Sequence, residues 1–168
     1  MQITDPLYLT SRREWRKWLR QNHARRAEVW LLSYRQDSGK SRIAYNDAVE
    51  EALCFGWIDG IAKKLDAESS AQRFTPRRSK SNWSELNKER ARRLIASGQM
   101  TAAGLAALGD ALETGFEVPA DIIAALKADR QTWRNFQTFP DNYQRIRIGY
   151  IEEVGNVPPT LTSGSRTF

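Results

Sequence analysis

Cysteine and histidine are almost missing from this chain: Cys54 and His23 are the only ones among 168 residues. A single thiol cannot close an internal disulfide, so nothing in the sequence marks an oxidising compartment. One cysteine and one histidine also leave no set of soft ligands for a structural zinc, and no metal is expected. The glycines follow neither phosphate-loop nor dinucleotide-fold spacing, which removes the sequence basis for a cofactor. No stretch reaches the roughly 18 apolar residues that a membrane-spanning helix needs, so no membrane insertion is expected. Met1 to Thr10 carry Asp5 and Pro6 and lack a basic start followed by an apolar run. No export leader is read there, and a cytoplasmic location is expected.

Basic residues are in excess. The formal net charge of +6 and pI near 9.7 raise the question of a polyanionic partner. Acidic residues are interspersed almost everywhere, however. The densest basic stretches, Arg73 to Lys80 and Lys88 to Arg93, carry few aromatic groups of the kind that stack on single-stranded bases. Nucleic acid is therefore a weaker reading than an ordinary solvated basic face.

Periodicity predicts mostly helix, with a small sheet near the front. Ser11 and Glu14 have capping-box spacing, and Trp15, Trp18 and Leu19 follow on one stripe that ends near Asn22. Val29 to Tyr34 is short, apolar and aromatic, and is read as a buried strand. Asn46 to Phe55 regains helical spacing, with Gly56 as its stop. Trp57 to Leu65 alternates, with Trp57, Asp59, Ile61, Lys63 and Leu65 on one face, and Gln72 to Arg77 is expected to pair with it as a hairpin. Asn82 and Glu85 read as a cap for a helix that Gly98 ends, and Thr101 caps a further helix running to Gly115. Pro119 suits the first turn of a helix through Leu126, and two more helical segments follow near Arg130 to Phe136 and Asp141 to Glu153. Asn156 to Phe168 has no periodicity. The expected fold class is α+β: a small, mostly antiparallel sheet packed with helices, then a helical C-terminal subdomain.

The strongest candidate surface leads into the helix after the hairpin. Arg77, Arg78 and Lys80 lie just ahead of a helix N-terminus, whose free N–H groups favour anions, and Ser81, Ser84 and Asn87 can add hydrogen bonds. A phosphate, a carboxylate or an acidic partner segment would fit there. The competing reading pairs Arg77 and Arg78 internally with acids such as Asp59 or Glu51. With no usable histidine, any enzyme here would need a carboxylate as general base, and Asp59, beside Trp57, is the candidate. The bland alternative is a structural carboxylate near Gly60. Trp57 and Trp83 are the tryptophans best placed to line a pocket beside the arginines, although most of the six should be core. Cys54 lies beyond Glu50 and Glu51 near a helix C-terminus, which disfavours a thiolate, so it is read as a buried structural thiol. His23, followed by Arg25 and Arg26, is read as a surface residue.

The run Glu51 to Gly60, then Phe74 to Arg78, then Ser81 to Ser84 with Asn87, resembles the signature of the YdeI/OmpD-associated, bacteriocin-protection family. Val118 to Asp121, Ala124, Leu126, Phe136, Tyr143 and Ile151 to Glu153 resemble that family's C-terminal helical segment. The resemblance covers roughly residues 8 to 155. It implies a YdeI-like α+β domain over residues 1–117, an OmpD-associated-type helical segment over 118–155, and an irregular tail over 156–168. It also implies a role in bacteriocin protection or envelope stress and an association with an outer-membrane protein, without an agreed reaction. The tail departs from the family pattern, which continues with a basic helix. A neighbouring frame of permitted codons for Gly155 to Phe168 can be written as Lys-Arg-Pro-Ala-Asp-Phe-Asp-Lys-Arg-Leu-Glu-Asn-Phe, so the tail is read as the product of a frameshift.

Taken together, the expected function is a stress-protection protein that binds an anionic ligand or an acidic partner segment through Arg77, Arg78, Lys80, Ser81, Trp83 and Asn87, with Trp57 and Asp59 beside them. The alternatives are an enzyme acting on a small anionic substrate with Asp59 as acid or base, and a weak nucleic-acid binder.

Overall fold

A computed structural model describes residues 3, 5–78, 81–113 and 115–155. The fold is α+β. The described residues divide into two compact units, one within Met1–Asn82 and Arg90–Leu112, the other within Trp83–Glu89 and Glu113–Phe168. Among the described residues no helix is long and apolar enough to cross a membrane.

The first unit contains the sheet. Strands β1 (Leu7–Tyr8), β2 (Val29–Tyr34), β3 (Trp57–Lys64) and β4 (Ser69–Pro76) lie in the order β1-β2-β4-β3. β1 runs parallel to β2, and the β2–β4 and β4–β3 pairs are antiparallel. The hairpin turns where Asp66 accepts the backbone N–H of Glu68 and of Ser69, each at 2.8 Å, which is how a short acidic side chain replaces a backbone partner in a turn. The alternation expected along β3 does not hold. The register shifts between Asp59 and Ala62, and Ile61 is 55% exposed. A bulge adds a residue to one strand and so reverses the faces beyond it.

Helix α1 (Arg12–Asn22) starts with the expected capping box: Ser11 accepts from Glu14, and the Glu14 carboxylate accepts from the Ser11 backbone. Its Trp15 and Leu19 are fully buried. Trp15 stacks on Trp18 at 5.3 Å, meets Phe74 of β4 at the same centroid distance, and donates from Nε1 to the Ala48 carbonyl at 3.0 Å. Ala48 belongs to α2 (Tyr45–Cys54), so one indole joins both helices to the sheet and has its N–H satisfied. Leu53, Val49, Trp57 and Phe74 complete this core.

Gly56, which ends α2, has φ +73°. A Cβ there would lie 2.8 Å from the Ala103 carbonyl oxygen, so both conformation and space demand glycine. Ala103 is in α4 (Ala102–Leu108), which Thr101 caps as expected. That helix is shorter than predicted: it ends at Gly109, where positive φ turns the chain, and not at Gly115.

Helix α3 (Glu85–Ala96) contributes its first turn to the second unit and its remainder to the first. The predicted cap is displaced. Ser84, not Asn82, receives the Asn87 N–H at 3.3 Å, and Asn82 is exposed. Serine one residue before the helix meets the geometry that an asparagine two residues further out cannot.

The rest of the second unit is helical: α5 (Ala120–Ala128), α6 (Arg130–Gln137) and α7 (Asp141–Gly155). Asp129 caps α6 by accepting the Thr132 N–H at 2.6 Å. Ile148 of α7 is 1% exposed, and Gly149 sits where a Cβ would be 3.4 Å from the Glu85 side chain. The tail read as frameshifted, 156–168, lies outside the described residues.

Candidate functional site

The hairpin brings part of the predicted surface together. The Arg77 N–H donates to the Gly56 carbonyl at 2.8 Å, which extends the β3–β4 pairing one step past the Trp57–Pro76 partners. Its Nη1 donates to Ser81 Oγ at 3.0 Å and to the Asn82 carbonyl at 3.1 Å, and the Ser81 N–H donates to the Arg78 carbonyl at 3.1 Å. Arg77 is thus a positioned cation that holds its own loop. Burial pushes it down to about 10, while the charge of Asp59 acts in the opposite direction. Asp59, half-buried in β3, accepts a 2.5 Å hydrogen bond from the Tyr45 hydroxyl at the start of α2. Arg78 is exposed.

Among the other predicted members, Trp57 is 1% exposed and donates from Nε1 to the His23 carbonyl at 3.1 Å, which makes it a core residue. Trp83, buried, and Asn87, half-buried, belong to the second unit, whereas Arg77, Arg78 and Ser81 belong to the first. Lys80 lies outside the described residues. His23 is half-buried and not simply a surface residue: its ring packs on Phe55 at 5.2 Å, and Nδ1 lies 2.9 Å from the Leu19 carbonyl. Cys54 is fully buried. Burial pushes its thiol up against the pull of Arg16, and Glu51 adds to the rise, which makes it a poor nucleophile.

Glu51 does not meet Arg77. It is 2% exposed and accepts from Arg12 Nε at 2.6 Å and from Arg16 Nη1 at 2.7 Å. Arg12 reaches Asp47 and Glu50 as well, Arg16 donates to the Gln99 carbonyl, and Arg93 pairs with Glu50 at 2.6 Å. Burial alone would lower the two α1 guanidinium groups, but hydrogen bonding and charge at Glu51 hold both above their ordinary value. The sequence signal was available: Arg12 and Arg16 one turn apart on α1, and Asp47, Glu50 and Glu51 at one-turn spacing on α2.

Two grooves in the first unit lie away from Asp59 and Arg77. One, of about 630 Å³, is lined by residues that include Tyr8, Trp18, Trp30, Arg26 and Glu28, and Glu28 is bonded to Arg73. The other, of about 450 Å³, is lined by Arg13, Arg16, Lys17, Arg20 and Gln21 of α1.

Comparison with known families gives two matches. A domain of unknown function, DUF8412, matches residues 7–107, and the bacteriocin-protection, YdeI or OmpD-associated family matches residues 115–155. No curated protein and no solved structure matches. The YdeI/OmpD resemblance is thus carried by the C-terminal segment, whereas the run Glu51 to Gly60 falls inside the other match. The chain belongs to the DUF8412 family, with a partial YdeI/OmpD-associated match at residues 115–155.

Proposed function

We propose that the protein is a non-catalytic binding protein that takes a small anionic ligand or an acidic protein segment at Arg77 and Arg78 of its first unit. One observation carries the reading: Arg77 is fixed in direction by Ser81 and Asn82, yet its charge is disfavoured by burial. An arriving anion relieves that cost and finds the guanidinium already oriented, so little side-chain entropy is lost on binding. Asp59 offsets the burial only in part, and it also accepts a hydrogen bond from Tyr45. Arg78 adds an exposed cation next in sequence. The C-terminal match supports placing this binding in bacteriocin protection or envelope stress, with contact to an outer-membrane protein as one form of it.

A thermal-shift panel of inorganic phosphate, sulfate, dicarboxylates, nucleotides and an acidic peptide tests the assignment. A ligand at 100 times its Kd stabilises the native state by about 2.7 kcal/mol, an easily read rise in melting temperature. The rise is expected to vanish in Arg77→Ala/Arg78→Ala, while the ligand-free variant still melts cooperatively. An equal rise in the variant refutes the site.

A second reading, an enzyme with Asp59 as acid or base, draws on the short Tyr45–Asp59 hydrogen bond. A phenol and a carboxylate at that distance can exchange a proton with a substrate held between Asp59 and Arg77. Turnover of an anionic substrate that Asp59→Asn abolishes without loss of binding would favour it over the first.

A further inference from the structure

Arginine and lysine on α1 are sorted by face. Arg12 and Arg16 turn toward Glu51 and are consumed there. Arg13, Lys17 and Arg20 are exposed and pair with no carboxylate among the described residues. At 1.5 Å per residue they form a row about 10 Å long. The helix has one acid, Glu14, whose Oε2 accepts from the backbone of Thr10 and of Ser11 and so stays with the cap. Arg25 and Arg26, also exposed, continue the basic run beyond the helix. The imbalance extends to the whole first unit. Nineteen of the 26 basic residues and eleven of the 20 acidic ones fall within its bounds, a net charge of +8 against −2 for the second unit.

From this row we infer that the outer face of α1 is a docking surface for the phosphate backbone of duplex nucleic acid, read without sequence preference. Charge complementarity sets the class of partner. The row faces a polymer that carries about one negative charge per 1.7 Å of its axis, so several phosphates lie within its span. Features absent from this face separate a duplex from other anions. Protein interfaces gain most of their affinity from buried aromatic or aliphatic anchors, and amphipathic helices bind membranes by inserting an apolar face. Here Trp15 and Leu19 are wholly used by the core, the half-buried Trp18 stacks on Trp15 and meets Trp57 edge-on, and the groove along the row is lined by Arg13, Arg16, Lys17, Arg20 and Gln21. Single strands add stacking on aromatic side chains, and this lining has none. What remains is a cationic row whose affinity comes from counterion release.

Fluorescence anisotropy with a labelled 20-base-pair DNA duplex of arbitrary sequence tests this. Three phosphate contacts give a salt slope near −2.7, so affinity is expected to fall roughly 40-fold between 50 and 200 mM salt. Arg13→Gln/Lys17→Gln/Arg20→Gln changes only exposed side chains, is expected to melt like the parent, and should lose most of both affinity and slope. Arg77→Ala/Arg78→Ala is expected to bind the duplex as the parent does, which keeps this surface distinct from the ligand site proposed above. Absence of duplex binding at 50 mM salt overturns the inference. So does an unchanged slope in the triple variant, or tighter binding to phosphatidylserine vesicles or to polyglutamate than to the duplex.

Discussion

The seam between α1 and α2 and the loop after β4 are both rich in arginine, yet their arginines face different things. Across the seam, Arg12 and Arg16 meet Glu51, which is almost wholly buried, with Asp47 and Glu50 beside it. After β4, the Arg77 guanidinium bonds a hydroxyl and a carbonyl, and Arg78 is exposed. The difference lies in what the facing element supplies. A helix with acids at one-turn spacing neutralises its neighbour's cations, whereas in the loop a hydroxyl and a carbonyl orient Arg77 and the next cation, Arg78, is exposed. Basic residues at the seam serve the fold, and those in the loop are the ones proposed to meet a ligand.

The comparison breaks most easily at Glu51. Glu51→Ala removes the buried carboxylate that Arg12 and Arg16 share and is expected to cost about 2–4 kcal/mol in urea unfolding, less than a fully buried pair because both guanidinium groups are partly exposed and keep other partners. Glu51→Gln, which keeps one acceptor oxygen but removes the charge and turns an amide NH2 toward the other arginine, should cost about 1–3 kcal/mol. A loss under 1 kcal/mol for Glu51→Ala would show that the seam is not the anchor described. Gly56→Ala comes next, at about 1–3 kcal/mol by the same assay, because positive φ and the Ala103 carbonyl both oppose a methyl group.

In the loop the effects shrink. Arg77→Ala removes the guanidinium hydrogen bonds to Ser81 and Asn82 and should cost about 1–2 kcal/mol, while Arg78→Ala should stay within about 0.5 kcal/mol. Both changes should register on ligand binding far more than on unfolding. If Arg78→Ala destabilises as much as Glu51→Ala does, the division between the two regions fails.

Titration tests the surrounding fold. Hydrogen bonds from Thr10 hold the Glu14 carboxyl below its usual range, and those from Arg73 do the same for Glu28. A carboxylate whose folded value is lowered adds stability above its unfolded value, which is lost as pH falls through the folded one. Melting temperature should therefore drop as pH falls below about 4. The Cys54 thiol has the opposite sign: its raised value resists ionisation, so its contribution is complete below about pH 8.5 and is lost as pH rises through the folded value. Alkylation of Cys54 should proceed only on unfolding, and rapid labelling of the native protein at neutral pH would contradict its burial.

Much of this architecture was legible in the residues. The capping box at Ser11, the strand Val29 to Tyr34 and the hairpin partners announced themselves through spacing, because local geometry decides them. The bulge after Asp59 was not legible, since one inserted residue leaves composition unchanged while it reverses every face beyond it. The pairing of Glu51 with Arg12 and Arg16 depends on how α1 crosses α2, a tertiary fact. The basic row on α1 is masked in composition for a related reason. Counting charge along the chain shows acids interspersed with bases, while only helical spacing shows that Arg13, Lys17 and Arg20 share a face. The depth of Trp57 in the core was not legible either, since its nearness to Asp59 in sequence says nothing of the His23 carbonyl that its ring meets.

The division of the arginines is tested most directly by timed modification with a dicarbonyl reagent, followed residue by residue by mass spectrometry. Arg13, Arg20 and Arg78 are expected to react first and Arg12 and Arg16 last, with Arg77 between them and protected by a bound anion. Arg12 and Arg16 reacting as quickly as Arg78 would contradict the account.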